Sequence, residues 1–332
     1  MTEQEKIALA EHPDATVAEL EQLSKDPSWE VRQVAAKHQN VPAWLLAVMS
    51  ADPHPNVRFA VARFGNPDNE TLVKLERDNN WLVRVGVALT EHASLDALNR
   101  LSTDKEWAVR RAVALNPHVP QSLLVTLSKD SSSIVRQTVA GSHQISIELA
   151  MDIAQNPESS SNVLQALAAN ETVSHKVMDV LAGDTKARSV LAQNPSLPFA
   201  MLETMTQDIP AVRCGAVKNP HLPPHILLRL ALEDGSSKVR CEAVKQILEC
   251  TPQAYWASAI EDGSISETST YGKGSKKKSL CDAMIGSKLT DLYQQLQAMM
   301  LEKQIKSIVA EMPSILALPE NDIATVNRRL TL

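Results

Sequence analysis

The sequence predicts an all-α protein, an α-solenoid of about ten two-helix repeats of ~26 residues followed by a C-terminal helical cap or tail. Three observations carry that expectation. Valine–arginine pairs fall at Val31–Arg32, Val57–Arg58, Val83–Arg84, Val109–Arg110 and Val135–Arg136, so the arginines stand 26 residues apart four times running. Within each unit the apolar residues recur at helical spacing, interrupted by turn residues at fixed offsets. Aromatic residues make up only 3% of the chain, and Ala, Val and Leu supply the small, regular core of a thin stacked array.

One unit, Asp104 to Leu127, shows how the elements arise. Val109, Ala112 and Val113 lie at i, i+3 and i+4, forming one apolar helical face. Asn116-Pro117 ends that helix, because proline cannot continue it and biases its predecessor towards extended backbone. Pro120 suits the first turn of a second helix, where its missing N–H costs nothing. Leu123, Leu124 and Leu127 line one side of that helix. Helices this short are marginal alone in water, so each must bury its stripe against the copies before and after it.

The first copy contains Lys6 in place of an arginine, with Ala8-Leu9-Ala10, His12-Pro13, Leu20 and Leu23 matching the unit loosely. The next four copies keep strict register, and Pro42 and Pro120 both follow their arginines by ten residues. Beyond Arg136 the register slips: Leu164 takes the arginine position two residues late, and Arg188, Arg213 and Arg240 complete the series. Gly141 to Gly183 is the least regular stretch. It reads either as a bend that shapes a concave site or as drift in sequence, with drift favoured.

The solenoid is expected over 1–260, with Tyr255 and Trp256 in a closing helical turn. Residues 261–279 are rich in Ser, Gly and Lys and read as a flexible linker. From 280 to 332 the chain is amphipathic again, through Ile285, Leu289, Leu292, Leu296, Met299 and Met300, then Ile305, Ile308 and Val309, with Pro313 and Pro319 breaking the pattern. This segment is expected to cap the last repeat or to mediate self-association.

The most specific polar signal is an aspartate six residues before an arginine: Asp26 and Arg32, Asp52 and Arg58, Asp78 and Arg84, Asp104 and Arg110, Asp130 and Arg136, and Asp234 and Arg240. A row of binding charges is one reading. A structural ladder is favoured, because a ligand rarely demands the same pair at every step; each arginine then bonds the aspartate or carbonyls of its own or the adjoining repeat. Tryptophan offers the best candidate for a binding surface. Trp29, Trp81 and Trp107 lie three residues before their arginines, and indoles beside arginines make interface anchors. The competing reading packs each ring over its loop as a hydrophobic staple. Trp44, beside Leu45 and Leu46, is expected in the core.

No metal, cofactor or catalytic constellation emerges. Cys214, Cys241, Cys250 and Cys281 form no C-x-x-C and have no histidine at zinc-like spacing, so buried reduced thiols are expected. His12 and His38 share one repeat position and His92, His118 and His221 another, both in the turn after the Val-Arg helix, which suggests capping and stacking. Nucleophile-elbow, phosphate-cradle and H-E-x-x-H patterns are missing. No stretch approaches the ~18 apolar residues of a membrane span, and the expected compartment is the cytoplasm.

The pattern V-R-x-A-V-A-x-N-P-x-x-P-x-x-L-L-x-x-L-x-x-D, carried by Val109-Arg110, Ala112-Val113-Ala114, Asn116-Pro117, Pro120, Leu123-Leu124, Leu127 and Asp130, resembles the leucine-rich repeat variant family, related in character to HEAT repeats. The resemblance covers roughly residues 6 to 250 and implies a right-handed superhelix of alternating α and 3₁₀ or short α helices. Units slightly longer than the family's usual repeat pull it towards ordinary HEAT-like pairs. Some members carry an N-terminal iron–sulfur cluster, but no cysteine precedes Cys214, so that cofactor does not transfer.

The functional expectation is a non-enzymatic scaffold that binds a protein or peptide partner along the solenoid surface. The alternative is a nucleic-acid-binding HEAT-like array, related to DNA repair, with Lys273 and Lys276 to Lys278 on phosphates and tryptophans stacked on bases. Charge weighs against it. From residue 251 onward nine basic residues balance nine acidic ones, so the net charge of −6 sits on the repeats. An enzyme with a site around 141–190 is the third and weakest reading.

Overall fold

The computed structural model describes residues 1–272 and 277–316. Lys273, Lys276, Pro319 and the rest of 317–332 lie outside the described residues. The chain divides into two compact units, Met1–Ala187 and Arg188 onward. Each is built mainly of packed helices, the all-α repeat architecture of a solenoid.

In the first unit, first and second helices alternate: α1 (Glu3–Glu11), α2 (Val17–Leu23), α3 (Trp29–Ala36), α4 (Ala43–Met49), α5 (Pro55–Arg63), α6 (Asn69–Leu75), α7 (Trp81–Leu89), α8 (Leu95–Leu101), α9 (Trp107–Ala114), α10 (Gln121–Leu127), α11 (Ser133–Ala140), α12 (Ile147–Gln155), α13 (Ser161–Ala169) and α14 (His175–Leu181). The first helices pack directly on one another, α1 on α3, α3 on α5 and so on to α13, while most second helices bridge the first helices before and after them. The core follows the repeat. Val31, Val57, Val83, Val109 and Val135 are fully buried, as are Ala35, Val61, Val87, Val113 and Val139 one helical turn later. Leu20, Leu46, Leu72, Leu98 and Leu124 close the core from the second helices. A buried valine or leucine at each position contributes about 1.5–3 kcal/mol, so the repeated apolar face holds together helices that would melt singly.

Local signals set the ends of the second helices. Thr16, Asp68, Ser94 and Ser146 cap α2, α6, α8 and α12 by accepting from the N–H three residues on. At α4 and α10 the N-cap residue is Pro42 or Pro120, one position ahead of the first turn the sequence suggests. The far ends close on Ser50, Ser102 and Ser128, whose hydroxyls donate to the carbonyls three residues back at 2.7, 2.8 and 2.8 Å.

The second unit contains α15 (Arg188–Leu191), α16 (Phe199–Met205), α17 (Pro210–Val217), α18 (Pro224–Glu233), α19 (Ser237–Cys250), α20 (Gln253–Glu261), a hairpin of β1 (Thr270–Tyr271) and β2 (Lys278–Ser279), α21 (Leu280–Gly286) and α22 (Thr290–Leu316). Helix α17 approaches α15 closely at Gly215, where a Cβ would collide with the Ser189 carbonyl oxygen. Trp256 of α20 is buried, edge-on to Tyr255 with centroids 5.2 Å apart. The Tyr255 hydroxyl donates to the Leu222 carbonyl, and burial pushes that phenol up, well above its ordinary range.

Two expectations are corrected here. The described part of 261–279 is not a flexible linker. Ile265 and Tyr271 are buried, the Ile265 N–H donates to the Ala259 carbonyl at 3.0 Å, and the strands pair antiparallel through Thr270↔Ser279 and Tyr271↔Lys278. Two apolar side chains anchor an otherwise polar segment, and the Gly272 N–H donates to the Glu233 carboxylate. Pro313 does not end the last helix either, since α22 runs through it to Leu316. Leu289, Leu292, Leu296 and Met300 are buried, and α22 packs on α20 and α21, with Lys303 Nζ donating to the Ile260 and Glu261 carbonyls at 2.7 and 2.9 Å.

Candidate functional site

The Arg–Asp pairs assemble into a ladder whose rungs run between repeats. Arg32 Nε and Nη2 donate to the two carboxylate oxygens of Asp52, twenty residues on, at 2.7 and 2.9 Å. Its Nη1 donates to the carbonyl of Asp26, six residues back, at 2.8 Å. Arg58 with Asp78, Arg84 with Asp104, and Arg110 with Asp130 repeat the geometry, every Nε–Oδ2 distance being 2.6 Å. Lys6 makes a single-pronged first rung to Asp26 at 2.6 Å. In the second unit Arg213 grips Asp234 at 2.7 and 2.8 Å, and Arg188 meets Asp208 at 3.1 Å. Arg240 donates to the Asp234 carbonyl at 2.5 Å.

The six-residue spacing therefore marks two different bonds. Each aspartate offers its carbonyl to the arginine of its own repeat and its carboxylate to the basic residue of the repeat before, an arginine in every case but Asp26, which meets Lys6. The carboxylate also accepts the N–H two residues on, from Ser28, His54, Asn80, Glu106, Ser132 and Ser236, which shapes the turn into the next first helix. Burial works to raise the carboxyls of Asp52, Asp78, Asp104 and Asp130, yet the arginine fork, the turn N–H and the arginine charge outweigh it and hold them below their ordinary range. The same hydrogen bonds raise Arg32, Arg58, Arg84 and Arg110.

A second, neutral ladder runs through the asparagines of the turns after the first helices, two of them followed by proline and Asn170 by Glu171. Asn116 Nδ2 donates to the carbonyls of Ala88 and Thr90 in the preceding repeat at 2.7 and 2.9 Å. Asn170 does the same to Ala140 and Ser142, and Asn219 to Ala192 and Asn194. Proline after Asn116 explained the end of the helix, so the asparagine side chain needed no further role at sequence level; its recurrence in one turn position was the available signal. Of the histidines in these turns, the His38 ring lies 2.9 Å from the His12 carbonyl, as a stacking contact between copies.

Trp29, Trp81 and Trp107 are each the first residue of a first helix, α3, α7 and α9. Trp81 and Trp107 are 46% and 43% exposed. Trp29 is half-buried and stacks on His54, with centroids 4.2 Å and planes 19° apart. Trp44 is not in the core: it is 53% exposed, because Leu45 and Leu46 take the inward face of α4 and leave their neighbour outside. The expectation of buried thiols is likewise corrected for Cys241, which is exposed, whereas Cys214 and Cys281 are half-buried; all three are free. Burial raises the Cys214 thiol. Among the described residues no group of three His, Cys, Asp or Glu side chains is placed to hold a metal ion, and no helix is long and apolar enough to cross a membrane.

The irregular stretch opens a cleft. Helix α12 has nine residues where α10 has seven, and the loop after it leads to α13. A cleft of about 430 Å³ lies there, lined by residues of α10 to α13 that include Arg136, Lys129, Asp152 and Asn156.

No protein-family model matches the sequence, and no curated protein matches it. Among solved structures the chain is similar to a leucine-rich repeat variant with a novel repetitive protein structural motif, at 22% identity over 68% of this chain and 79% of that one, with a TM-score of 0.38.

Proposed function

We propose that this chain is a non-catalytic scaffold that binds a protein or peptide partner along its solenoid surface through the edge formed by Trp81 and Trp107. The observation that supports it is the exposure of two indoles at the same position of consecutive repeats. Each sits three residues ahead of a ladder arginine, Arg84 or Arg110, whose bonds hold that end of the helix. Rings on a fixed backbone lose little freedom on binding and add large apolar area, the combination that makes tryptophan an interface anchor. Trp29 is already engaged with His54 and is the weaker candidate. The nucleic-acid reading is disfavoured by the acidic repeats, since phosphate contacts need a basic face. The compartment that fits is the cytoplasm, where Cys214, Cys241 and Cys281 stay reduced. Leu301, Ile305, Ile308 and Val309, exposed along α22, support self-association through 280–332.

The test compares wild type with the W81A/W107A double variant in pull-downs from nuclease-treated and untreated lysate at two salt concentrations, with circular dichroism on both proteins. The variant is expected to stay folded and to lose, at least tenfold, a protein that wild type retains in both salts and after nuclease. Equal retention by the variant, or capture of nucleic acid that disappears at high salt, refutes the proposal.

A further inference from the structure

The regularity of the ladder makes the broken rung at Arg136, where the arginine is present but its carboxylate is not, informative. Arg136 keeps the first half of the pattern: Nη1 donates to the Asp130 and Ser131 carbonyls at 2.6 and 3.1 Å. Twenty residues on, where the other rungs have aspartate, stands Asn156. Its Oδ1 accepts the Glu158 N–H at 2.9 Å, as the ladder aspartates accept theirs, so it occupies the same turn. An amide has one acceptor oxygen where a carboxylate has two, and its NH₂ repels a guanidinium. Arg136 Nε and Nη2 accordingly have no hydrogen-bond or ion-pair partner among the described residues. Both halves of the irregularity fall together here, because the two extra residues of this repeat lie between Asn156 and Leu164, the next arginine position, in the loop that lines the cleft with Arg136.

We propose that this cleft is a carboxylate-binding site, in which an external carboxyl group takes the place of the missing aspartate in the Arg136 fork. A guanidinium with two parallel N–H groups free matches a carboxylate in geometry as well as charge. Five sibling arginines, Arg32, Arg58, Arg84, Arg110 and Arg213, show that this backbone setting aims the fork at one. The charges around it narrow the ligand. Asp130 is occupied by Arg110, and Lys129 adds a second cation, while Asp152 and Glu158 are exposed carboxylates in the same lining. Those two anions oppose a doubly charged phosphate more than a single carboxylate. Ile153 and Val163 supply an apolar wall that suits the short stem of an aspartate or glutamate side chain. The site is independent of the tryptophan edge.

The test uses the full chain labelled with ¹⁵N-arginine, following the Nε–Hε signals. Three blocked peptides are titrated: acetyl-Gly-Asp-Gly-amide, acetyl-Gly-Asn-Gly-amide and acetyl-Gly-Gly-Gly with a free C-terminus. A saturable shift of one signal, assigned to Arg136 by its loss in R136Q, is expected with the aspartyl peptide and not with the asparaginyl one. A response to the third peptide supports the site with a chain-terminal carboxylate as source; silence there supports a side-chain source. N156D restores the rung from within, so it is expected to move the same signal without peptide and to reduce the peptide response at least tenfold. The proposal is overturned by no saturable shift, by equal response to both amidated peptides, or by an N156D protein that still responds. It is also overturned if D152N/E158Q moves the Arg136 signal in the ligand-free protein, which would mean that the rim already fills the fork.

Discussion

Replacing Arg84 by methionine tests how much one rung holds. Arg84 is the least exposed ladder arginine, with 9% of its side chain accessible against 10% for Asp104. The substitution keeps a long apolar stem but removes the fork on Asp104 and the 2.7 Å bond to the Asp78 carbonyl. Asp104 would then keep only the Glu106 N–H as donor. Removing one partner of a buried pair costs about 3–5 kcal/mol; partial access at the edge brings the expectation to roughly 2–4 kcal/mol. Urea unfolding followed by far-ultraviolet circular dichroism at pH 7 measures it.

Acid supplies a second readout of the same variant. In the native chain the depressed Asp104 carboxyl contributes stability that is present above its unfolded pKa of about 3.9 and lost as pH falls through the folded value. In Arg84→Met burial acts without the fork, so the carboxyl rises and protonation relieves the penalty. The gap between the two proteins should therefore narrow between pH 7 and pH 3. A cost under about 0.5 kcal/mol at pH 7, the size expected of an exposed pair, or a gap independent of pH, would refute the reasoning.

Two further substitutions probe the contacts between repeats. Asn116→Ala removes the amide donor from the Ala88 carbonyl, leaves the Thr90 carbonyl with the Ala93 N–H alone and frees the His118 N–H, so a loss of about 1–3 kcal/mol is expected in the same urea assay; a change within experimental error would mean that the neutral ladder is incidental. Gly215→Ala drives a methyl onto the Ser189 backbone and against Ala192, and since backbone must move, a cost of about 1–3 kcal/mol and a lower melting temperature are expected. A stabilised protein would show that α15 shifts freely.

The period of 26, the apolar faces and the turn residues were legible in the sequence because each depends on residues a few positions apart, whose helical spacing and turn chemistry act locally. Val109, Ala112 and Val113 name their buried face without any knowledge of what covers it. The Asp–Arg recurrence was equally plain, but its meaning was split: the offset of six marked a carbonyl bond, and the ion pair ran twenty residues forward. Only stacking decides that, because the fork reaches whichever carboxylate the neighbouring repeat brings near. Trp44 and Cys241 came out exposed for the same reason, since a helix face acquires its burial from its neighbours. Order around Ile265 and Tyr271 depended on a surface that composition does not report. The sequence by itself determined the repeat and the helices that build it. The tertiary structure decided which rung each charge joins, and therefore that the fork of Arg136, in a cleft that Asn156 also lines, has no carboxylate of its own.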